Sequence, residues 1–197
     1  TFSVVEERQQ SPTSDPSKGD GREPSNVSDD PTIRRYQPGD ADRIADVIEI
    51  AHREADAWVG DMDGELDDDL DAIDEEYFPD GEFLVAEIEG RIVGSIAFHP
   101  PGEILRAFYD EFGDGAAQIK RFSVAPDYQR RGVGRALYDE LERRARADGI
   151  ETFVLHTTDR QDAAQRFYET VGFERVVRER VDDFETPFDL LVYRTKL

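Results

Sequence analysis

The sequence predicts one α/β domain, of the α+β kind, with a mixed sheet of about seven strands and about four helices. A chain of 197 residues with 38% apolar content is long enough for one well-formed core but short for two. Along the chain, short apolar runs typical of strands alternate with segments whose apolar residues recur at helical spacing. Residues 1–30 are rich in Ser, Pro, Asp and Gly and have almost no apolar residues after Val5. We therefore expect a disordered polar tail over 1–30 and a folded domain over 31–197.

The first elements of the domain are a strand and two helices. The segment TIRRYQ at 32–37 reads as a strand, and Pro38-Gly39-Asp40 as a turn that starts a helix. Helical spacing continues to about Trp58, through Ile44, Val47, Ile48 and Ala51. A second, weaker helix is indicated within the acidic tract by Leu66, Leu70 and Ile73.

A hairpin and a central strand follow. The runs FLVAEIE (83–89) and RIVGSIAFH (91–99) meet at Glu89-Gly90-Arg91, which is typical of a hairpin. The connector 100–116 carries no clear period and is left unassigned. AQIKRFSVAP (117–126) predicts a fourth strand that Pro126 stops.

The C-terminal third alternates helices and strands. Val133, Leu137, Leu141 and Ala145 define one face of a helix that ends before Gly149. ETFVLHTT (151–158) is a fifth strand, and DAAQRFYETVGF (162–173) is a short helix. That helix is expected to be buried through Ala164, Phe167 and Val171. Two closing strands lie in 174–181 and 188–197.

Composition excludes several functions. The formal net charge of −22 disfavours nucleic acid and anionic lipid as partners, and the absence of cysteine excludes disulfides and thiolate chemistry. No run is apolar and long enough to span a bilayer, and the N-terminus does not resemble a secretory signal, so we expect a cytoplasmic protein. The acidity has two interpretations, namely adaptation to a salty cytoplasm or, in the tract 61–80, attraction of a cationic substrate.

The stretch QRRGVGR (129–135) departs from this acidity. It follows a strand and opens a helix, where unpaired backbone N–H groups and the helix dipole attract anions. Gly132 and Gly134 allow close approach of a ligand to the main chain, and Arg130, Arg131 and Arg135 add positive charge. The pattern indicates a pyrophosphate site. It lacks the Lys-Ser/Thr ending of a P-loop and the third glycine of a dinucleotide fingerprint.

FSVAPDYQRRGVGRAL (122–137), followed by AAQRFYETVGF (163–173), resembles the GNAT superfamily of acetyl-CoA-dependent N-acetyltransferases. The family pattern Gln/Arg-x-x-Gly-x-Gly/Ala is matched by Gln129, Gly132 and Gly134. The resemblance covers about 32–197 and implies a mostly antiparallel sheet in which strands four and five splay apart around the thioester.

The resemblance also implies site residues. Fourth-strand backbone groups at Phe122, Ser123 and Val124 would bind the pantetheine arm and polarise the thioester carbonyl. The pyrophosphate would lie on the amides of the loop that follows, at Arg130, Arg131, Gly132, Val133, Gly134 and Arg135. Gln161 takes the place of an asparagine that contacts the cofactor in many relatives, and Ala164 stands in family register. Tyr168 occupies the position of the acid that protonates the leaving thiolate.

The general base stays open. Some relatives have a glutamate early in strand four, but this chain has Gln118 there, so a water chain, Glu103 or Glu111 are the alternatives. Of the three histidines, only His156, near the expected splay, is a candidate site residue. No spacing of His with Asp or Glu predicts a metal site.

We therefore expect an enzyme that transfers an acetyl group from acetyl-CoA to a primary amine in a ternary complex, as a monomer or homodimer. The acidic tract makes a cationic amine or basic peptide N-terminus a reasonable acceptor, but salt adaptation predicts the same acidity. The alternative is a catalytically weak or inactive acyl-CoA-binding regulatory module, which Gln118 motivates. A kinase-like or dinucleotide-binding function is disfavoured by the missing motif residues.

Overall fold

The computed structural model describes residues 30–54, 68–70, 72–78, 80–182 and 186–197. The predicted tail, apart from Asp30, lies outside the described residues. So do the last turn of the predicted first helix, at 55–58, and Leu66 of the predicted acidic helix.

Seven strands form one sheet, in the spatial order β1-β2-β3-β4-β5-β7-β6. Every neighbouring pair is antiparallel except β4 with β5. This confirms the predicted mixed, mostly antiparallel sheet. The strands are β1 Thr32–Arg35, β2 Glu82–Ile88, β3 Arg91–His99, β4 Ala116–Val124, β5 Thr152–Thr158, β6 Glu174–Val181 and β7 Phe188–Lys196.

The parallel pair β4–β5 is joined over only three residues. Pairing runs from Ala116 with Thr152 to Gln118 with Val154 and then stops. β5 stays paired with β7 along its whole length, and β4 stays paired with β3 as far as Val124. The two strands therefore diverge after Gln118, and the predicted splay is confirmed.

Five α-helices surround the described sheet, where four were predicted. They are α1 Ala41–Glu54, α2 Ile73–Tyr77, α3 Glu103–Phe108, α4 Val133–Ala147 and α5 Asp162–Thr170. The additional helix, α3, lies in the connector that was left unassigned. α3 has six residues, and Leu105 is its only fully buried side chain. The sequence therefore contained no helical repeat of apolar residues by which this helix could be recognised.

Both faces of the sheet are covered. On one face, α4 and α5 pack on a core that includes Leu137, Leu141 and Phe153. On the other face, α1 and α2 pack through Ile44 and Tyr77. Because side chains on both faces are buried, β3 is an almost unbroken apolar run without polar alternation.

A buried carboxylate ties α4 to the first strands. Glu82 of β2 is 3% exposed, and it accepts hydrogen bonds from Arg35 (2.7 Å) and from Arg144 of α4 (2.9 Å). Arg143 and Arg144 also pair with Glu140, and Arg146 pairs with Glu142. These late arginines of the helix therefore pair with acids one turn away on the same helix.

The Glu82 contacts predict an acid-sensitive contribution to stability. Burial alone would raise the pKa of Glu82, but the hydrogen bonds from Arg35 and Arg144 outweigh it, and the pKa is lowered. Since the folded-state pKa lies below the unfolded value, this stabilisation is complete above about pH 4.3 and is lost as the pH falls through the folded pKa. In urea titrations at pH 7 to pH 3, Glu82→Gln should reduce stability most at pH 7. The wild-type advantage should shrink towards pH 3.

A matched control for this titration is Glu49→Gln, which removes an exposed pair with Arg53. We expect this change to alter stability by less than about 0.5 kcal/mol at every pH. A Glu82→Gln curve that runs parallel to the wild type would contradict the role of the ionised carboxylate.

Candidate active site

A cleft of about 300 Å³ opens where β4 and β5 diverge. Its described wall combines α1, the end of β3, the start of α3, the middle of β4, the end of β5 and one residue of α5. The polar and aromatic residues of that wall are His52, His99, Glu103, Gln118, Lys120, Arg121, Phe122, Ser123, His156, Thr157, Thr158, Gln161 and Tyr168.

A bulge in β4 directs two cations to the same side of the sheet. The β3–β4 register shifts between Ser95 and Ala97, and Arg121 adopts a left-handed φ of 55°. Ser95 Oγ donates a hydrogen bond to the Arg121 carbonyl (2.8 Å), which holds the bulge. A bulge lets consecutive side chains leave a strand on one face. This irregular backbone lies beside the cleft, as β-bulges often do in enzymes.

Asp69 holds both of those cations. Its carboxylate pairs with Lys120 (3.1 Å) and with Arg121, and it accepts a hydrogen bond from the Tyr77 hydroxyl. Burial would raise the pKa of Asp69, but its hydrogen bond with Arg121 overrides this, and the pKa is lowered. This group was not predicted from the sequence. The only local signal was an adjacent Lys and Arg inside an otherwise apolar strand.

The loop before α4 presents main-chain donors. Gly132 is the N-cap of α4 with φ 85°, a conformation that favours glycine. No described side chain caps the helix, and the first intrahelical bond runs from the Ala136 amide to the Gly132 carbonyl (2.9 Å). Within the described chain, the amides of residues 132–135 have no hydrogen-bond partner. This segment therefore offers four consecutive N–H groups at the positive end of a helix dipole.

The side chains of this loop differ in their availability. Arg135 pairs with Asp139 (2.7 Å), and Arg131 lies over the Tyr128 ring (5.2 Å). Arg130 forms no ion pair with any described residue. The Gln129 amide donates to the Val124 carbonyl (3.1 Å), so it fastens the loop to the end of β4. Arg130 is therefore the arginine of this loop that can most readily turn to an anionic ligand.

The two glycines of this loop have different surroundings. A Cβ on Gly134 would lie 3.4 Å from Cζ of Phe122, which is ordinary van der Waals contact, whereas a Cβ on Gly132 would meet nothing within 4 Å. Gly134 therefore faces β4, and Gly132 faces open space. The sequence interpretation gave both glycines the same purpose.

Tyr168 is the most buried residue of α5. It is 7% exposed, whereas Ala164, Phe167 and Val171, through which burial was predicted, pack against the same core but are only partly buried. The reason is that the Tyr168 ring packs against rings from other elements, including Phe173 (5.6 Å) and Tyr193 (5.9 Å). An isolated helix pattern does not contain those neighbours.

The Tyr168 side chain also lines the cleft. Its hydroxyl makes no hydrogen bond to any described residue. Burial raises the pKa of Tyr168 above its ordinary value, and the Tyr193 hydroxyl adds to this effect. The phenol is therefore protonated at neutral pH and available as a proton donor.

Gln118 is a fixed part of the cleft. Its Oε1 accepts a hydrogen bond from the Gly102 amide (2.9 Å), and its Nε2 lies 3.3 Å from Nδ1 of His156. Glu103 lines the cleft, whereas Glu111 is absent from its described wall.

The other predicted cofactor-binding residues form two groups, those that line the cleft and those that pack against the core. Phe122, Ser123 and Gln161 line the cleft, and Gln161 Oε1 accepts a hydrogen bond from the Thr157 hydroxyl. Val124 and Ala164 are partly buried and pack against the core on the α4–α5 face. Among the described residues, no group of three His, Asp or Glu side chains could hold a metal ion. None of the described helices is long and apolar enough to cross a membrane.

The splayed strands, the cleft between them and the donor-rich helix start define an acyltransferase. The model of the acetyltransferase (GNAT) family matches residues 45–173, about two thirds of the sequence, and the chain belongs to this family.

Individual relatives agree with this assignment. A Xenopus tropicalis protein named "Probable N-acetyltransferase camello" is 33% identical over 93 residues, which are 47% of this chain and 38% of that protein. The chain thus matches less than half the length of this relative.

Solved structures share the fold over most of the chain. An acetyltransferase from Streptococcus agalactiae is 26% identical, with a TM-score of 0.66, and the match covers 85% of this chain and 98% of that one. The PaiA N-acetyltransferase from Thermoplasma acidophilum, solved in complex with coenzyme A, is 17% identical. Its TM-score is 0.63, and the match covers 85% of this chain and 99% of that one.

Proposed function

We propose that this chain transfers the acetyl group of acetyl-CoA to a primary amine by direct attack in a ternary complex. The observation that carries the proposal is the cleft at the β4–β5 splay, whose wall includes the protonated Tyr168 hydroxyl, which has no hydrogen-bond partner among the described residues. Residues 132–135, whose amides have no partner among the described residues, open the helix that follows β4. They are not among the residues that line the cleft, so in this proposal β4 connects the donor site at the helix start with the proton donor in the cleft.

The donor half of the site uses main-chain groups. In this proposal the amides of residues 132–135 and Arg130 bind the pyrophosphate, and Arg131 and Arg135 add charge beside it. The pantetheine arm runs along residues 122–124, since β4 has no described strand partner towards β5 after Gln118. Gln129 positions the loop, and Gln161 and Ala164 lie on the opposite side of the arm.

The chemistry needs one bond formed and one broken. The amine lone pair forms the new C–N bond with the acetyl carbon, and a β4 amide near Phe122 or Val124 stabilises the charge on the carbonyl oxygen. The C–S bond then breaks, and the Tyr168 hydroxyl gives its proton to the departing thiolate. The products are the acetylated amine and free coenzyme A.

The acceptor is described only as a primary amine, either of a small molecule or of a peptide. The described wall of the cleft carries one carboxylate, Glu103, against the two cations Lys120 and Arg121. Of the tract 61–80, the described Asp69 is already engaged by those cations. This balance gives no support to the cationic acceptor that the acidity of the tract suggested.

Free thiol release from acetyl-CoA across a panel of amines in molar KCl tests the proposal. We expect one thiol per acetylated amine with at least one member of the panel, together with saturable acetyl-CoA binding. Saturable binding without thiol release from any amine would instead support the acyl-CoA-binding module. Gln118, in place of a proton-accepting carboxylate, is the observation that favours this second candidate.

The electrostatic part of the donor site predicts the effect of a charge reversal. Arg130→Glu should raise the Kd for acetyl-CoA about tenfold at 0.1 M KCl, because it places a carboxylate beside the pyrophosphate. The difference should shrink in molar KCl, where charges are screened beyond about 3 Å. Isothermal titration at both salt concentrations measures this.

Arg143→Glu is the matched control for that experiment, because Arg143 is an exposed arginine near the other end of the same helix. It makes the same change in net charge and should leave the Kd within about twofold. Equal weakening by the two variants would show that overall charge, and not the helix start, governs binding.

A further inference from the structure

Lys120 places an ammonium group on the side of the cleft that faces α1 and α2. Its neighbour Ile119 packs in the core under α4 and α5, and side chains alternate along a strand, so Lys120 lies on the opposite face of β4. Its cross-strand neighbour Ala97 accordingly belongs to the core under α1 and α2. Tyr168 lines the same cleft from the α4–α5 face. The opening therefore has a phenol on one face of the sheet and an ammonium group on the other.

The ammonium group of Lys120 is only partly satisfied by the described protein. Its described partner is Oδ2 of Asp69, at 3.1 Å. That oxygen also accepts from the Tyr77 hydroxyl and from Nε of Arg121 (3.3 Å), while Nη2 of Arg121 donates to the other oxygen of the same carboxylate. An oxygen with two lone pairs thus serves three donors. Of the three N–H donors of Lys120, two have no partner among the described residues.

Lys120 is also the more accessible of the two cations in the wall. Its side chain is 26% exposed, whereas that of Arg121 is 8% exposed and is turned onto Asp69. Both residues line the cleft. A charge in a cleft is stable when an opposite charge pairs with it, and Lys120 has only a share of one carboxylate. This position therefore favours a ligand that brings a negative charge.

The two histidines beside Gln118 do not add a second accessible cation. Burial, followed by the charge of Lys120, lowers the pKa of His99 to about 4. Burial, Lys120 and His99 lower the pKa of His156, the histidine that the sequence favoured, to about 4. Both rings are therefore neutral at pH 7. The attraction for an anion at this end of the cleft comes from Lys120.

We propose that the acceptor is a small amine that also carries a carboxylate, such as an α-, β- or γ-amino acid, and that Lys120 binds this carboxylate. The inference rests on the proposed function, in which Tyr168 protonates the thiolate from the α4–α5 face and the amine attacks from the α1–α2 face. Glu103, exposed at the start of α3, lies in the wall of the same cleft and attracts the ammonium end of such a zwitterion.

The carboxylate of the acceptor takes no part in the bond changes. The ammonium form loses one proton to solvent, and the nitrogen loses a second proton to solvent as the C–N bond forms. The C–S bond breaks, the thiolate takes the proton of Tyr168, and solvent returns a proton to the phenolate. Lys120 is thus a residue that determines specificity, because it holds the acceptor by a group that does not react. Its charge also disfavours the ammonium form of the bound amine.

Matched acceptors test the proposal without a mutation. Each amino acid of a panel is paired with its carboxamide, which has the same amine and side chain but no negative charge. We expect the wild type to release thiol with at least one amino acid, and its kcat/KM to be at least tenfold above that of the carboxamide. An α-carboxamide has the less basic amine and hence more of the neutral nucleophile at pH 8. A preference for the α-amino acid therefore does not come from basicity.

Substitution of Lys120 identifies the group that recognises the carboxylate. Lys120→Met should lower kcat/KM for the amino acid about 10- to 100-fold and leave that for the carboxamide within about threefold. Lys120→Arg keeps the charge and should keep most of the preference. The KM for acetyl-CoA should stay within about twofold in both variants. Lys196→Met is the matched control, since Lys196 is an exposed lysine of β7 outside the described wall of the cleft, and both acceptors should stay within about twofold.

Two results overturn the inference and leave the proposed function intact. One is a wild type that acetylates the carboxamides as well as the amino acids, or better. The other is an equal loss for both acceptors in Lys120→Met at an unchanged melting temperature. If Lys120→Met melts at a lower temperature, the wild-type comparison and Lys120→Arg decide. A wild type that releases thiol with no amine of either series overturns the proposed function itself, which is a separate result.

Discussion

Tyr168→Phe should lower kcat about 100- to 1,000-fold and leave the KM for acetyl-CoA within about twofold of wild type. The reason is that the phenol is the proton donor for the departing thiolate, and positioned acids contribute effects of this size. Burial keeps the Tyr168 hydroxyl protonated, because it raises the pKa of the phenol. Steady-state kinetics with an amine from the thiol-release panel measures both constants.

The same substitution should not disturb the fold. The Tyr168 hydroxyl has no hydrogen bond to a described residue, so its removal leaves no buried group without a partner. The ring keeps its contacts with Phe173 and Tyr193. We expect the melting temperature of Tyr168→Phe to be equal to that of wild type or slightly higher.

Tyr193→Phe provides the comparison. Tyr193 is a neighbouring buried tyrosine whose hydroxyl donates to Glu169 (3.4 Å), and it is not among the residues that line the cleft. Its kcat should stay within about twofold of wild type. Equal turnover in wild type and Tyr168→Phe would remove Tyr168 from the mechanism, and equal losses in both variants would point to packing of the shared aromatic cluster.

The sequence predicted the elements that have a strong local signal. β3 coincides with the run at 91–99, and α4 follows the spacing from Val133 to Ala145. The glycine-rich helix start was also predictable, because φ 85° at Gly132 is a local requirement that glycine satisfies. α3 could not be predicted, because one buried leucine does not make a helical spacing of apolar residues.

The parts of the site that were missed depend on contacts distant in sequence. Asp69 meets Lys120 and Arg121 from a segment 51 and 52 residues earlier in the chain. The burial of His99 opposite Gln118 and against Tyr77 likewise joins separate elements of the fold, which no spacing reveals. Tyr168 was assigned to the cleft from its family position, but its burial comes from rings on β7 and beyond α5.

Asp69→Asn should destabilise the protein by about 3 kcal/mol, as expected when one partner of a buried ionic group is removed. Lys120 and Arg121 would face each other without the carboxylate that now separates their charges, and Tyr77 would lose the acceptor of its hydroxyl. In urea unfolding this corresponds to a lower midpoint by about 1–2 M for a domain of this size.

A double-mutant cycle separates the ionic contribution from other effects of the amide. Lys120→Met in the Asp69→Asn background should cost less than it does alone, because the methionine relieves an uncompensated cation. Asp74 is an exposed acid of α2, and Asp74→Asn removes the same single negative charge as Asp69→Asn. This control should change stability by less than about 0.5 kcal/mol. If Asp69→Asn were no more destabilising than Asp74→Asn, Asp69 would be one more surface acid of this acidic chain. A loss confined to Asp69 would instead make this one residue of the acidic tract a structural support for the bulge of β4 and the cleft beside it.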